Sequence, residues 1–400
     1  MKRKLNIFAG DISLWVIFFF LTAISLIAVY STIGLSAIAE SHTTPSAEFF
    51  KHVGFVLVTY IMVILMSHIN YRTFSKFVVP LFLFGICALI LVYFVGGARH
   101  RWIYIPFLPF GVQPSEFAKI FLILFLARTI ALNYDNLDDN NYFWSHIGVP
   151  VFGTCGLIFA PNLSTAILLF LTCFFLLFFA GYNTRRWWKW FAIIMIGGVL
   201  LFMLIYWIGD KADVFRSSTW GHRLQNWLNP NPDELSQENM ARMAVARGGL
   251  FGQGIGTTIH GRLTTQAHND FIFAFIIEEK GLIAAIGIFI LYAFFYFRCI
   301  RIAVGCKGRF GSLCVAGLGT VIFLQALINM SVAVGLLPVT GQTLPFISYG
   351  GSSYLALGLA MGVIQSVAAD NRKQARLAKA QPATPETLND ETVKSEPVNQ

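Results

Sequence analysis

Ten apolar runs constrain this chain most. They lie at about Leu14 to Ile33, Val53 to Ile69, Phe77 to Val95, Ser115 to Leu132, His146 to Ala160, Thr165 to Gly181, Trp190 to Ile208, Phe271 to Phe295, Leu313 to Leu336 and Gly350 to Ala368. Each is near the roughly 20 residues that a helix needs to cross a bilayer. The reading is an all-α polytopic membrane protein with about ten transmembrane helices. Composition agrees, with 56% of 400 residues hydrophobic and only 12% charged, against roughly 25% charged in an ordinary soluble domain.

A formal net charge of +9 raises the question of nucleic acid, and the placement of the cations answers it. With Lys2, Arg3 and Lys4 inside, the groups at Arg72 and Lys76, Arg185 to Lys189, Arg298 to Arg309 and Arg372 to Lys379 all fall inside as well. This is the positive-inside pattern. It puts both termini in the cytoplasm, places the chain in the cytoplasmic (inner) membrane, and leaves no nucleic-acid partner to explain. The loop from Asn133 to Trp144 is acidic, but acids weigh little in that rule. The first apolar run leads straight into further spans and is read as retained rather than cleaved. Six cysteines without CxxC spacing suggest neither disulfides nor zinc.

Residues 1–370 form the expected membrane domain, and 371–400, rich in Lys, Pro, Thr and Glu, a disordered cytoplasmic tail. One long segment, 210–269, separates spans seven and eight and is expected on the extracytoplasmic side. Neither a repeat period nor a pair of matching interrupted spans is visible.

In AHNDFIFAFIIEEKG, Ala267 to Gly281, charges sit within an apolar run. Asp270 stands where the long loop becomes a span. It either caps the helix or, beside His268 and Asn269 at an apolar surface, serves as a general base with a raised pKa. Glu278 lies eight residues on, expected about 12 Å deeper on the same face. Buried there with Glu279, it calls for a partner such as Lys280 or Lys119, or for a path through the membrane.

The stretch RHRWIYIPFLPFGVQPSEFAK brings Pro114 and Glu116 to a helix start. Lys119 either snorkels or pairs with Glu116, or joins Arg101 in an anion site suited to a lipid pyrophosphate. In LLPVTGQTLPFISYGGSS, the residues Pro338, Gly341, Pro345, Gly350 and Gly351 forbid a regular helix. Such backbone at membrane depth is tolerated only inside protein or along a wet cavity, so this is a plain turn or a cavity wall. GGLFGQGIG, Gly248 to Gly256, follows no expected strand and is weak as a nucleotide loop.

Together RWI…QPSEFAK, HRLQNWLNP, GGLFGQGIG, AHNDFIFAFIIEEKG and LPVTGQTLPFISYGGSS, in this order, resemble the SEDS family of peptidoglycan polymerases, which includes FtsW, RodA and SpoVE. The likeness runs from about Asp11 to Val367. It implies an inverting glycosyltransferase that polymerises lipid II on the outer face of the membrane and releases undecaprenyl pyrophosphate. Asp270 would be the base. Arg101 and Lys119 would hold pyrophosphate, with no certain cofactor beyond a divalent cation, Mg or Mn, whose ligands stay unknown. Asn269, His268, Arg223, Gln237, Thr340, Ser348 and Ser352 are the other candidate substrate contacts. Glu278, Glu279, Glu116, Pro345, Gly350 and Gly351 are assigned to support of the cavity. The family's acidic turn appears here as APNLST, with Asn162 in the acid's place.

The TLPFISYGGSS form looks more like the division-associated FtsW branch than the elongation-associated RodA branch. That implies a class B penicillin-binding transpeptidase and other division proteins as partners, besides lipid II and the growing glycan strand. Two rivals stay open. A lipid II flippase or ion-coupled transporter would lean on Glu278, Glu279 and Lys280, and a scaffold would tolerate changes at the polar rim.

Overall fold

The computed structural model describes residues 8–33, 44–95, 101–104, 110–182, 217–229, 236–260 and 269–380, with a few isolated positions between 189 and 203. Nine of the ten expected spans appear as helices among these residues. The seventh, Trp190 to Ile208, lies outside them apart from those positions, as does His268.

Helix α1 (Ile12–Thr32) starts at Asp11, whose carboxylate accepts the amide hydrogens of Ser13 and Leu14. That is an N-cap in the ordinary sense. Helices α2 (Pro45–His68) and α3 (Tyr71–Val95) follow, and α2 opens with proline in its first turn. A two-stranded antiparallel ladder, β1 (Ile103–Tyr104) with β2 (Gly111–Val112), is the one departure from an all-helical chain among the described residues. It leads into α4 (Pro114–Leu132), again with proline at the start, where its missing N–H costs nothing. Then come α5 (Asn140–Phe159) and α6 (Leu163–Phe179). Asn162 caps α6 by accepting from the Thr165 amide at 3.3 Å, so the residue in the family's acidic turn does a helix-capping task here.

The long segment holds two short helices, α7 (Ser217–Leu228) and α8 (Gln237–Gly248). Three long helices close the bundle: α9 (Ile272–Val304), α10 (Arg309–Ala333) and α11 (Gly351–Ala380). Within their most apolar windows α10 is 72% and α11 83% buried, against 22% for α2 and α3. So α10 and α11 form the centre, and α2 and α3 turn apolar surface toward lipid.

At 33 residues, α9 would be about 50 Å long if straight, well beyond a hydrocarbon core of about 30 Å. It breaks instead at Gly281, whose φ of 77° and ψ of 179° interrupt the helix. Residues 272–279 are all buried, while the part beyond Gly281 faces outward at Leu282, Ile283, Ile286, Phe289 and Ile290. The piece before the break is a core element and the piece after it is the span.

Two ends of the bundle can now be told apart. At one, Asp11 pairs with Arg298 of α9 and Arg372 of α11, and Gln365 bonds both the amide and the carbonyl of Asp11. Helix α11 runs to Ala380, past the expected start of the tail at 371, with Arg372 paired to Asp11 and Gln374 bonded to Asp370 on the way; residues 381–400 lie outside the described region. At the other end, residues 338–350 dip between the helices. Their carbonyls are met by buried side chains: Gln325 Nε2 donates to Thr343 O at 3.0 Å, Ser25 Oγ to Ile347 O at 2.6 Å, and Tyr292 Oη to Pro345 O. Phe346 takes a left-handed φ of 62° and packs between Phe18 and Phe295. Protein groups replace the water that this backbone lacks at membrane depth.

Candidate functional site

Asp270 sits in the turn just before α9, held by its backbone rather than by its carboxylate. Ser348 Oγ donates to Asn269 O at 2.5 Å, and Asn329 Nδ2 donates to Asp270 O at 2.8 Å. The same Asn329 Nδ2 reaches Gln342 O at 2.7 Å, and Gln342 Nε2 donates to Thr165 Oγ1 at 2.7 Å. Four residues from Asn329, on the same face of α10, Gln325 accepts from Lys119 Nζ at 2.7 Å. A polar ladder therefore runs from α4 through α10 to the dipping segment and the acid.

Among the described residues the Asp270 carboxylate makes no ion pair and accepts no hydrogen bond. Gly341, in the left-handed region at φ 67°, faces it; a β-carbon there would stand 3.7 Å from Asp270 Oδ2. Loss of hydration raises the Asp270 pKa above the ordinary carboxylate range, against the opposing pull of the Arg101 and Arg223 charges. Arg223 is placed by α7: its Nη1 donates to Val339 O at 3.2 Å, and Trp227 Nε1 donates to Gly335 O at 2.9 Å. Arg101 comes from the segment before β1 and borders a small hollow with Gln113, Pro114, Ser115, Pro161 and Asn162. An acid and two guanidiniums from three separate parts of the chain thus meet at one end of the bundle.

Two expectations need correction. Lys119 is not presented to a ligand. It is 1% exposed and satisfied by Glu116 at 2.7 Å and by Gln325, so its charge is already neutralised inside the protein. Arg223 is the second cation at the acid. Glu278 is paired, but neither with Lys280 nor with Lys119. Arg247 Nη1 at 3.1 Å, His260 Nδ1 at 2.8 Å, Thr258 Oγ1 at 2.6 Å and the Ile259 amide at 3.4 Å surround it. Because α9 breaks at Gly281, this acid faces the long loop instead of lying deeper in the membrane. Glu279 accepts from the Gly256 amide at 3.0 Å and has Lys280 at 3.7 Å.

The glycine-rich stretch explains that arrangement. The amides of Gln253 and Gly254 donate to the carbonyls of Glu278 and Glu279, and those of Leu282 and Ile283 donate to Gly249 and Leu250. Backbones this close leave no room for side chains. A β-carbon on Gly248, Gly252 or Gly281 would lie 2.2 to 2.3 Å from a carbonyl oxygen of the facing strand of chain. GGLFGQGIG is a clasp for the broken helix, and the carboxylates of Glu278 and Glu279 fasten it.

Of the other candidates, Thr340 flanks Gly341 in the dipping segment. Ser352 is buried in the first turn of α11, where Gly351 lies close against Phe55 and Phe110. Gln237 opens α8, which packs on the buried start of α9, on the loop rather than at the acid. Gln325, Asn329 and Gln342 escaped the sequence reading, although an amide pair spaced by four in an apolar span was a usable signal. No cluster of three or more His, Cys, Asp or Glu able to hold a metal occurs among the described residues, and no step below passes through a cation.

A family model described as cell cycle protein, covering FtsW, RodA and SpoVE, matches residues 11–373. Stage V sporulation protein E of Bacillus subtilis is 31% identical over 377 residues, 90% of this chain and 98% of that protein. A probable peptidoglycan glycosyltransferase FtsW of Haemophilus influenzae is 30% identical, across 87% of this chain and 89% of the relative. Among solved structures, a chain from a study of polymerization and crosslinking by a peptidoglycan synthase complex superposes with a TM-score of 0.70 at 22% identity, over 91% of this chain and 98% of that one. The rod shape determining protein RodA of Thermus thermophilus gives 0.64 at 21%, over 92% and 99%.

Proposed function

This chain belongs to the FtsW, RodA and SpoVE family, and on that premise we propose that it is a peptidoglycan glycosyltransferase that polymerises lipid II at the outer face of the cytoplasmic membrane. The carrying observation is the half-buried Asp270 at one end of the bundle, its carboxylate facing Gly341 and within reach of the Arg101 and Arg223 charges.

The reaction needs a base for the acceptor sugar's 4-hydroxyl and a cationic site for the leaving pyrophosphate. An acid with a raised pKa is better matched to taking a proton near neutral pH than an ordinary carboxylate. Asp270 takes the proton as the hydroxyl oxygen attacks the donor's anomeric carbon. The bond to the undecaprenyl pyrophosphate oxygen breaks on the opposite face, its electron pair leaving with the phosphate. The α-linked donor becomes a β-1,4-linked product. Arg101 and Arg223 hold the pyrophosphate as its charge develops, and the fixed Asn269–Asp270 backbone keeps the base in place. The basic end carrying Arg298, Arg301 and Arg372 faces the cytoplasm, which puts Asp270 outside.

The finer reading is a division-type polymerase working beside a class B penicillin-binding transpeptidase. The TLPFISYGGSS segment and the FtsW relatives support it; the sporulation relative keeps a third setting in view. Polymerisation of labelled lipid II by the purified chain, with and without an inactive cognate transpeptidase, tests the activity. Long glycan from the wild type and none from Asp270→Asn is the expected result. Equal product from both would remove Asp270 from the chemistry. Depletion in cells tests the branch, since filaments mark a division role and rounded cells an elongation role.

A further inference from the structure

The clasp that holds the broken helix carries an apolar tip. Leu250, Phe251, Ile255 and Ile259 expose between 52 and 79% of their surface, and no charged residue occurs from Gly248 to Ile259. A loop in water would be expected to show the reverse, polar side chains outward and apolar ones covered.

The depth of this tip is fixed by the backbone. The amides of Leu282 and Ile283 bond the carbonyls of Gly249 and Leu250 at 2.9 and 3.3 Å, so the tip lies beside the first turn of the span. From Gly281 to Arg301 the helix rises about 30 Å at 1.5 Å per residue, the thickness of the hydrocarbon core. Arg298, three residues before that end, is anchored to Asp11 at the opposite end of the bundle. Gly281 therefore stands at the edge of the hydrocarbon, and the exposed side chains around Phe251 continue the lipid-facing stripe of Ile283, Ile286 and Ile290.

The geometry points to a second membrane contact. The Leu250–Ile259 tip inserts into the bilayer leaflet at the Asp270 end, so the loop between spans seven and eight is partly an interfacial element held to lipid by Phe251. Acyl chains are the occupant that fits, because the surface is continuous with one already in lipid and offers no charged group for a polar partner. The consequence is that Glu278 and Glu279 fasten to α9 a loop whose other side is in the membrane, which fixes the loop's height over the site.

The test uses the full chain in liposomes with the photoreactive phenylalanine analogue p-benzoylphenylalanine at position 251, and separately at 286 and at the exposed loop position 136. Irradiation followed by mass spectrometry is expected to give phospholipid adducts at 251 at the level seen at 286 and several-fold above 136. If 286 labels lipid and 251 labels no more than 136, the tip is in water and the proposal fails. Cross-linking from 251 to a second copy in liposomes, or to another protein in native membranes, in place of lipid also overturns it. Should the analogue at 251 prevent folding, the same measurement at 255 decides, with the same outcomes. None of these readouts depends on polymerase activity.

Discussion

Two aspartates stand just before helices at opposite ends of the bundle, and each feels the charge of two arginines, yet their carboxyl pKa values are pushed in opposite directions. Asp11 is 4% exposed. Burial pushes its carboxyl up, but the hydrogen bond and charge of Arg298, the Leu14 amide and the Arg372 charge outweigh that and bring it below the ordinary range. Asp270, half-buried, has Arg101 and Arg223 nearby, yet no donor among the described residues touches its oxygens, and loss of hydration wins. The number of neighbouring cations therefore does not decide which way a carboxyl pKa moves. Direct donation to the carboxylate does, because it replaces the lost water while a guanidinium at a distance only offsets part of the loss. One end of the molecule spends its arginines on structure, and the other leaves its acid without a donor among the described residues, which suits a base.

The sharpest way to break that contrast is to neutralise each acid in turn. Asp270→Asn is expected to lower lipid II polymerisation by about 100-fold or more, the range of a positioned base, while leaving the melting temperature unchanged or slightly raised. A variant that keeps its rate, or that loses rate only because it unfolds, would place Asp270 with Asp11 as a structural acid. Next in size comes the clasp beside the catalytic end. Gly252→Ala sets a β-carbon 2.3 Å from Glu279 O at a φ of 80° and is expected to cost about 2–4 kcal/mol. It would be read as a drop in melting temperature in detergent. Gly153→Ala, with nothing within 4 Å, is the control and should be neutral or stabilising. Asp11→Asn follows, at about 2 kcal/mol, since it leaves Arg298 without its partner. The rate per folded molecule should not change. A loss of rate at unchanged stability would contradict a purely structural Asp11.

How much of this was legible in the sequence depends on the range of the interaction. The spans could be read because apolar length is a local property, and so could Pro114 at its helix start. Asp270 stood out because a charge at the edge of an apolar run is costly and needs a reason. The partners of Glu278 could not be read. Its neighbours Arg247, Thr258 and His260 lie 18 to 31 positions away, and the expected depth took residues 271–295 as one continuous span, which the break at Gly281 divides. That glycine was a weak signal by itself, because one glycine in a helix costs only about 1 kcal/mol. Lys119 and Arg223 were both candidate contacts; the pairing of Lys119 with Glu116 was one of the readings the sequence offered and is the one found, while Gln325 as its second partner and the delivery of Arg223 by α7 needed the fold. Asn329, which holds the acid's backbone, could have been marked with Gln325 as an amide pair in an apolar span, but its partners at Asp270 and Gln342 could not be read.

The smallest expected effect tests the electrostatic half of the contrast. Arg223 favours the ionised form of Asp270. Replacing it in Arg223→Gln removes that support, so the carboxyl holds its proton to higher pH. If ionised Asp270 is the base, polymerisation falls as pH drops through its pKa, and the variant's acid limb moves to higher pH. Any loss of pyrophosphate binding lowers the plateau instead, so the two effects separate within one pH–rate profile. Arg101→Gln should shift the limb in the same direction, whereas Asp11→Asn should leave it in place. A limb that stays put in both arginine variants, or moves down, would mean that the group titrating in the rate is not Asp270.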